Sequence, residues 1–203
     1  MGARIYIIRH GQTEMNSRKL LQGRTDLPLN TEGIVQASKT AEILNNMGIF
    51  FDRVFSSPLV RAVYTAELLS PGTEIETDDR LIEMDYGPFE GMDLYSPAPE
   101  VMSFFRDFTR NPAPEGMEPL DSVVARTGDF IESLRKTEGN ILISTHAIAM
   151  KGILEYLTPE SHGSYWSKHI GNCAVYLTEF DGKNFSVPRE VLNPANDIPD
   201  GRR

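Results

Sequence analysis

Apolar and polar positions along the chain change period several times, and each change predicts an element. Ala3 to Arg9 is a short run of β-branched and aromatic side chains entering Gly11, the pattern of a first strand. A polar stretch from Gly11 to Thr31 follows, with Pro28 inside it. Connections of that length without their own structure are usually functional. Thr31 then reads as the cap of a helix with Glu32 in its first turn; Ile34, Ala37, Ala41 and Leu44 recur at helical spacing, and Gly48 ends it. Val54-Phe55 predict a second strand that stops at Ser56-Ser57-Pro58. The next helix takes Pro58 at or near its first turn, shows Ala62, Ala66, Leu68 and Leu69 on its apolar face, and closes at Pro71-Gly72. Ile75 lies in a brief third strand.

Residues 97–136 read as two helices broken at 111–116, the first carrying Val101, Phe104, Phe105 and Phe108, the second Val123, Val124, Phe130, Ile131 and Leu134. Ile141-Leu142-Ile143 is a strand ending at Ser144-Thr145-His146, followed by a helix over Ala147 to Leu157. Ala174–Leu177 and Phe185–Val187 flank Asp181-Gly182, which predicts a hairpin. The polar tail over 193–203 reads as loose. Strands alternating with helices imply an α/β layer architecture with a mostly parallel sheet, and the hairpin adds an antiparallel edge. Without a convincing linker, residues 1–203 form one domain. In such sheets ligands bind beyond the carboxyl ends of the strands, and two strands here end in histidine, at His10 and His146.

Composition narrows the classes. With 20 basic and 29 acidic residues the net charge is -9, which argues against a general nucleic-acid-binding surface and leaves room only for a local basic pocket. The single Cys173 precludes an internal disulfide and fits a reducing compartment. Ile5–Ile8 stops at Arg9-His10, too short for a signal core, and no run approaches membrane-spanning length. A soluble cytoplasmic protein is expected, with no membrane partner.

Arg9-His10-Gly11 at a strand end suits phosphate chemistry. Arginine offers forked donors to phosphate oxygens, a neutral imidazole can act as nucleophile, and Gly11 would let the backbone approach a ligand closely. Alone, the tripeptide could equally be a charged pair at the rim of a sheet. It is followed by Gln12-Thr13-Glu14-Met15-Asn16, then by Leu21-Gln22-Gly23-Arg24-Thr25-Asp26-Leu27-Pro28-Leu29-Asn30-Thr31-Glu32-Gly33, Ser56-Ser57-Pro58-Leu59-Val60-Arg61-Ala62, the acidic segment from Leu81 through Glu83 to Gly91, and Ser144-Thr145-His146. These stations, in this order, resemble the histidine phosphatase superfamily, which includes the cofactor-dependent phosphoglycerate mutases. The resemblance implies a phosphoglycerate mutase-like, three-layer α/β/α sandwich with a helical segment over about 92–136 covering the site.

It also implies roles. His10 would attack phosphorus, Glu83 would serve the leaving group and then water, and Arg9, Arg61 and His146 would clamp the phosphoryl oxygens, with Asn16, Gln22, Gly23 and Ala147 among the substrate contacts. The arginines supply the positive charge, so neither metal nor cofactor is called for, and no zinc or nucleotide motif is present. His162 and His169 fit no metal spacing and read as structural or surface residues. The mutases typically have Gly-Asn-Ser after the second histidine, where this chain has Ala147-Ile148-Ala149. Their longer insertion is also reduced here to about 92–120, where Arg106 and Arg110 are offset by Glu100, Asp107, Glu115 and Glu118. Both points favour a phosphatase acting on small phosphate monoesters, as in the α-ribazole-phosphate and broad-specificity phosphatases. A phosphoglycerate mutase and a non-catalytic phosphate-binding module are the alternatives, and a homodimer is left open.

Overall fold

The computed structural model describes residues 2–194. Strand β1 (Ala3–Arg9) pairs in parallel with β4 (Gly139–Thr145), from Ala3 opposite Gly139 to Arg9 opposite Thr145. On the far side of β4 come β2 (Arg53–Ser56) and β3 (Ile75–Thr77), both parallel. On the other side of β1, β5 (Val175–Phe180) runs antiparallel and β6 (Arg189–Leu192) pairs antiparallel to β5, giving the order β3-β2-β4-β1-β5-β6. This is the expected mostly parallel sheet with an antiparallel edge.

The strands alternate their side chains between two buried faces. Tyr6, Ile8 and Leu142 meet α2 (Thr31–Asn46) and α3 (Val60–Leu69) through Ala37, Leu44, Ala66 and Leu69. Ile5, Ile7, Ile141 and Ile143 meet α5 (Leu120–Ser133) and α6 (Ala147–Leu157) through Phe130, Ile131 and Ile153. Helices on both faces make three layers. Helix α4 (Pro99–Arg106) joins a third cluster, where Val101 and Phe104 pack with Ile148 and Trp166. No helix among the described residues is long and apolar enough to cross a membrane.

Several local expectations are corrected. The stretch after Gly11 contains a four-residue helix, α1 (Glu14–Ser17), capped by Thr13. Asn30, not Thr31, caps α2: its side chain accepts from the Gly33 N–H at 2.8 Å. Pro58 lies outside α3, whose cap is Leu59. Phe108 falls beyond the end of α4. The returning arm of the hairpin is β6 rather than Phe185–Val187, which contributes only the single bridge of Phe185 to Phe180. Pro188 follows that bridge and has no N–H to extend a ladder. In the tail, Asn193 is buried and donates to Glu190, whereas residues 195–203 lie outside the described residues.

Candidate active site

Parallel pairing brings the carboxyl ends of β1, β4 and β2 side by side. The His10 N–H donates to the Thr145 carbonyl and the Ser57 N–H to the Ser144 carbonyl, both at 2.9 Å, so His10, His146 and Ser57 leave the sheet at one edge. The His10 ring is buried, with Nδ1 at 2.6 Å from the Gly11 carbonyl and Nε2 at 3.3 Å from Nε of Arg61. A carbonyl can only accept and a guanidinium can only donate, so the proton sits on Nδ1 and the lone pair on Nε2. Burial, reinforced by the charges of Arg61 and Arg9, holds the imidazole well below its usual pKa, and the ring is neutral at pH 7.

Arg61 comes from the first turn of α3 and is fully buried. Its Nη1 donates to the Thr25 carbonyl at 2.9 Å and its Nη2 to the Gly23 carbonyl at 2.6 Å. Burial lowers its pKa to about 10, so it stays charged. The loop carrying those carbonyls is itself fixed, because Glu90 accepts from the backbone N–H groups of Arg24 and Thr25. A Cβ at Gly23 would lie 2.6 Å from the Met84 carbonyl oxygen, so the loop closes against the acidic segment only with glycine there.

Arg9 Nη1 donates to the Ile170 carbonyl at 2.6 Å, while its Nε is buried without a protein partner. His146 caps α6, and its Nε2 lies 2.7 Å from Ser57 Oγ, which also accepts the Leu59 N–H at 3.3 Å. Ser57 Oγ can donate to this Nε2 or accept from it, and His146 Nδ1 too is buried without a protein partner. The His10 and His146 rings lie 5.1 Å apart. Two unpaired buried nitrogens in one cluster, one of them the obligate donor Arg9 Nε and each costing about 1–3 kcal/mol when unmet, mark a place suited to an anion.

Glu83 is buried against the start of α6: Oε1 accepts the N–H groups of Met84 at 2.8 Å and Ala149 at 3.0 Å, and Oε2 accepts that of Ile148 at 3.2 Å. The helix N-terminus favours an acid there, and its charge reaches both Arg9 and Arg61. Ala147 is the first residue of the same turn. Asn16 accepts on Oδ1 from the Thr13 N–H at 3.2 Å and from Asn172 Nδ2 at 3.3 Å, which leaves its Nδ2 as a donor. Gln22 is tied into the scaffold, accepting from Thr13 Oγ1 at 2.6 Å and donating to the Thr25 carbonyl at 3.3 Å. A cavity of about 530 Å³ opens beside the cluster, lined by Arg9, Asn16, Lys19, His169 and Asn172 among others.

Gly11 corrects an expectation. What approaches it is the backbone of α2, since a Cβ would sit 2.5 Å from the Gly33 carbonyl oxygen. In the sequence Ser57 reads only as part of the station leading to Arg61, and Asn172, which donates to the His10 carbonyl at 3.0 Å, as a residue at a strand start; neither carries a role of its own there. Cys173 adopts φ 59, unusual for a residue with a side chain, and its N–H donates to the Arg9 carbonyl at 3.0 Å. It is fully buried, and burial pushes its thiol up to about 12.

The family model of the histidine phosphatase superfamily (branch 1) matches residues 5–192. The chain belongs to this superfamily. A broad-specificity phosphatase of Saccharomyces cerevisiae is 33% identical to it over 198 residues, spanning 92% of this chain and 84% of the yeast protein. A 2,3-bisphosphoglycerate-dependent phosphoglycerate mutase of Elusimicrobium minutum is 25% identical over 226 residues, with 93% and 91% covered. A mycobacterial glucosyl-3-phosphoglycerate phosphatase solved with VO3 superposes with a TM-score of 0.80 at 25% identity, covering 91% of this chain and 96% of its own. Within this histidine phosphatase chain, the structure gathers Arg9, His10, Arg61, Glu83 and His146 around one strand edge. Gly23, Gln22, Asn16 and Ala147 form its immediate support.

Proposed function

We propose that the protein hydrolyses phosphate monoesters of small molecules through a phosphohistidine on His10. The observation that carries this reading is the His10 tautomer: Nδ1 is committed to the Gly11 carbonyl, so the lone pair that can attack phosphorus is on Nε2, where the incoming phosphoryl group displaces only the long 3.3 Å contact from Arg61 Nε. Arg61 has five N–H donors, of which three are in use, so two remain for phosphoryl oxygens. Arg9 Nε and Asn16 Nδ2 add donors around the same anion, as does His146 Nδ1 when Ser57 donates to its Nε2, and positioned positive charge is the main requirement of phosphoryl transfer.

In the first step Glu83, having taken up a proton as the phosphate dianion binds beside it, passes that proton to the departing oxygen while the Nε2–P bond forms and the ester P–O bond breaks. In the second, Glu83 takes a proton from water as that water attacks phosphorus, the P–N bond breaks, and inorganic phosphate leaves with His10 restored. The scheme draws its positive charge from Arg9 and Arg61 and uses no metal or cofactor.

A direct test supplies 3-phosphoglycerate with and without 2,3-bisphosphoglycerate and follows 2-phosphoglycerate and free phosphate together, beside p-nitrophenyl phosphate. Phosphate release from both substrates is expected. Fast bisphosphoglycerate-dependent isomerisation with little phosphate released would replace the phosphatase by a mutase, and no turnover of any kind would leave a binding module.

A further inference from the structure

Beyond the phosphate-facing cluster, a second cavity of about 700 Å³ is walled by Phe108 and Trp166 and carries Lys151. Lys151 projects from α6, whose other residues over Ala147–Leu157 are apolar or small except Glu155 and Tyr156. The residue is only 9% exposed. Its Nζ donates to the Trp166 carbonyl at 2.7 Å and lies 5.6 Å from the centre of the Phe108 ring. No carboxylate forms an ion pair with it among the described residues; Glu83 acts on it only through space. A buried ammonium without a counter-ion is costly to maintain, which points to an anion supplied from outside. Burial, with Arg9 nearby, brings its pKa down to about 8, so it is still mostly charged at pH 7.

The rest of the cavity has the same sign. Lys168 and Arg106 line it, as do His162 and His169. Its acid, Asp107, is already engaged by Thr109 and by Arg110 at 3.6 Å. Glu118, from the same covering segment, is bound by Arg126 at 2.8 Å. To the charges counted along residues 92–120 the fold adds Lys151 from α6 and Lys168 from the loop before β5, while two of the segment's acids, Asp107 and Glu118, are already paired. His169 lines both this cavity and the one beside Arg9, so the two adjoin. The segment between them is anchored at both ends, through the Trp166 carbonyl to Lys151 and the Ile170 carbonyl to Arg9.

We propose that Lys151 is a specificity-determining residue, and that its cavity receives a carboxylate borne by the organic part of the phosphorylated substrate. One buried ammonium matches the single charge of a carboxylate, and the aromatic walls suit the short carbon skeleton that joins it to the phosphate. The inference rests on the phosphatase reading above and names its substrate class.

The test compares pairs that differ in the carboxylate alone: phosphoserine against phosphoethanolamine, and 3-phosphoglycerate against glycerol 3-phosphate. Wild-type protein is expected to favour the carboxylated member by roughly 10–100-fold in kcat/KM, the range of a charged hydrogen bond. Lys151→Met should abolish that ratio and Lys151→Arg should retain part of it. A structural effect of either substitution lowers both members of a pair together and leaves the ratio intact. If Lys151→Met fails to fold, Lys151→Gln carries the same comparison. Hydrolysis of phosphoethanolamine and p-nitrophenyl phosphate with no carboxylate preference, or with a preference that survives Lys151→Met, overturns the subsite and spares the phosphatase. A preference only for fructose 1,6-bisphosphate over fructose 6-phosphate overturns the choice of carboxylate. Failure to hydrolyse any of these esters removes the phosphatase reading and the subsite with it.

Discussion

The phosphate-facing centre and the covering side hold their side chains by different means. At the centre, His10, Arg9, Arg61 and Glu83 are each bound to a backbone carbonyl or N–H at 3.0 Å or less. On the covering side, Phe104 meets Phe108 at 4.8 Å between ring centres, and Phe108 meets Trp166 at 6.2 Å. Hydrogen bonds fix atoms in direction as well as distance, whereas ring contacts tolerate sliding and substitution. On the function proposed above, one region repeats a single reaction and the other chooses what enters it. Substitutions at the centre should therefore slow every substrate, and those on the covering side should change the ratios between substrates.

His10→Ala gives the sharpest version of that contrast. Turnover of all esters should fall by at least about a thousandfold, as expected when a nucleophile is removed. Rapid-quench labelling with a radioactive phosphoryl donor should yield an acid-labile, alkali-stable adduct on wild-type protein and none on the variant. A folded variant with near-normal turnover sinks the proposed chemistry.

Glu83→Gln should cost about 10²–10⁴-fold on alkyl phosphates, whose departing oxygen needs a proton. Aryl phosphates such as p-nitrophenyl phosphate should lose less in the bond-breaking step. Equal losses for both would show that Glu83 does not deliver the proton, and would blur the line between chemistry and choice.

The smallest effect concerns stability. His10 and His146 are both held well below the ordinary histidine pKa, each by burial first and then by Arg61. Below about pH 6.5 the unfolded chain takes up protons at these positions while the folded one does not. The stability present above that pH is therefore lost on acidification, by up to about 1.4 kcal/mol per pH unit for each histidine. Thermal unfolding between pH 7.5 and 5 should show Tm falling, with a shallower slope in His10→Ala. An unchanged slope would mean that the ring of His10 is not dry in solution.

The same contrast explains what could be read from residues alone. His10 and His146 were legible as residues that close two strands, whereas the roles of Arg9, Arg61 and Glu83 became legible only through the ordered stations that resemble a known family. The Asn30 cap was missed by one residue because Asn and Thr both cap helices and stand side by side. The displaced edge strand follows from Pro188, a single residue that vetoes a ladder. Lys151 was hidden because a lysine in a helix normally reads as solvated. Its one signal was an otherwise apolar stretch, Ala147-Ile148-Ala149-Met150 before it and Gly152-Ile153-Leu154 after it. The cationic cavity draws on three separate segments, so no count along one of them could find it.

Cys173 has a practical consequence. A thiol that is fully enclosed and pushed up to about 12 presents almost no thiolate at neutral pH, so alkylating reagents pass it by. It is also the sole sulfhydryl in the chain. A cysteine introduced at an exposed position such as Tyr95 or Met102 would then be the one reactive handle on the molecule. A fluorophore could be attached there without first replacing the native residue, whose side chain is fully enclosed among the apolar residues between the sheet and α2.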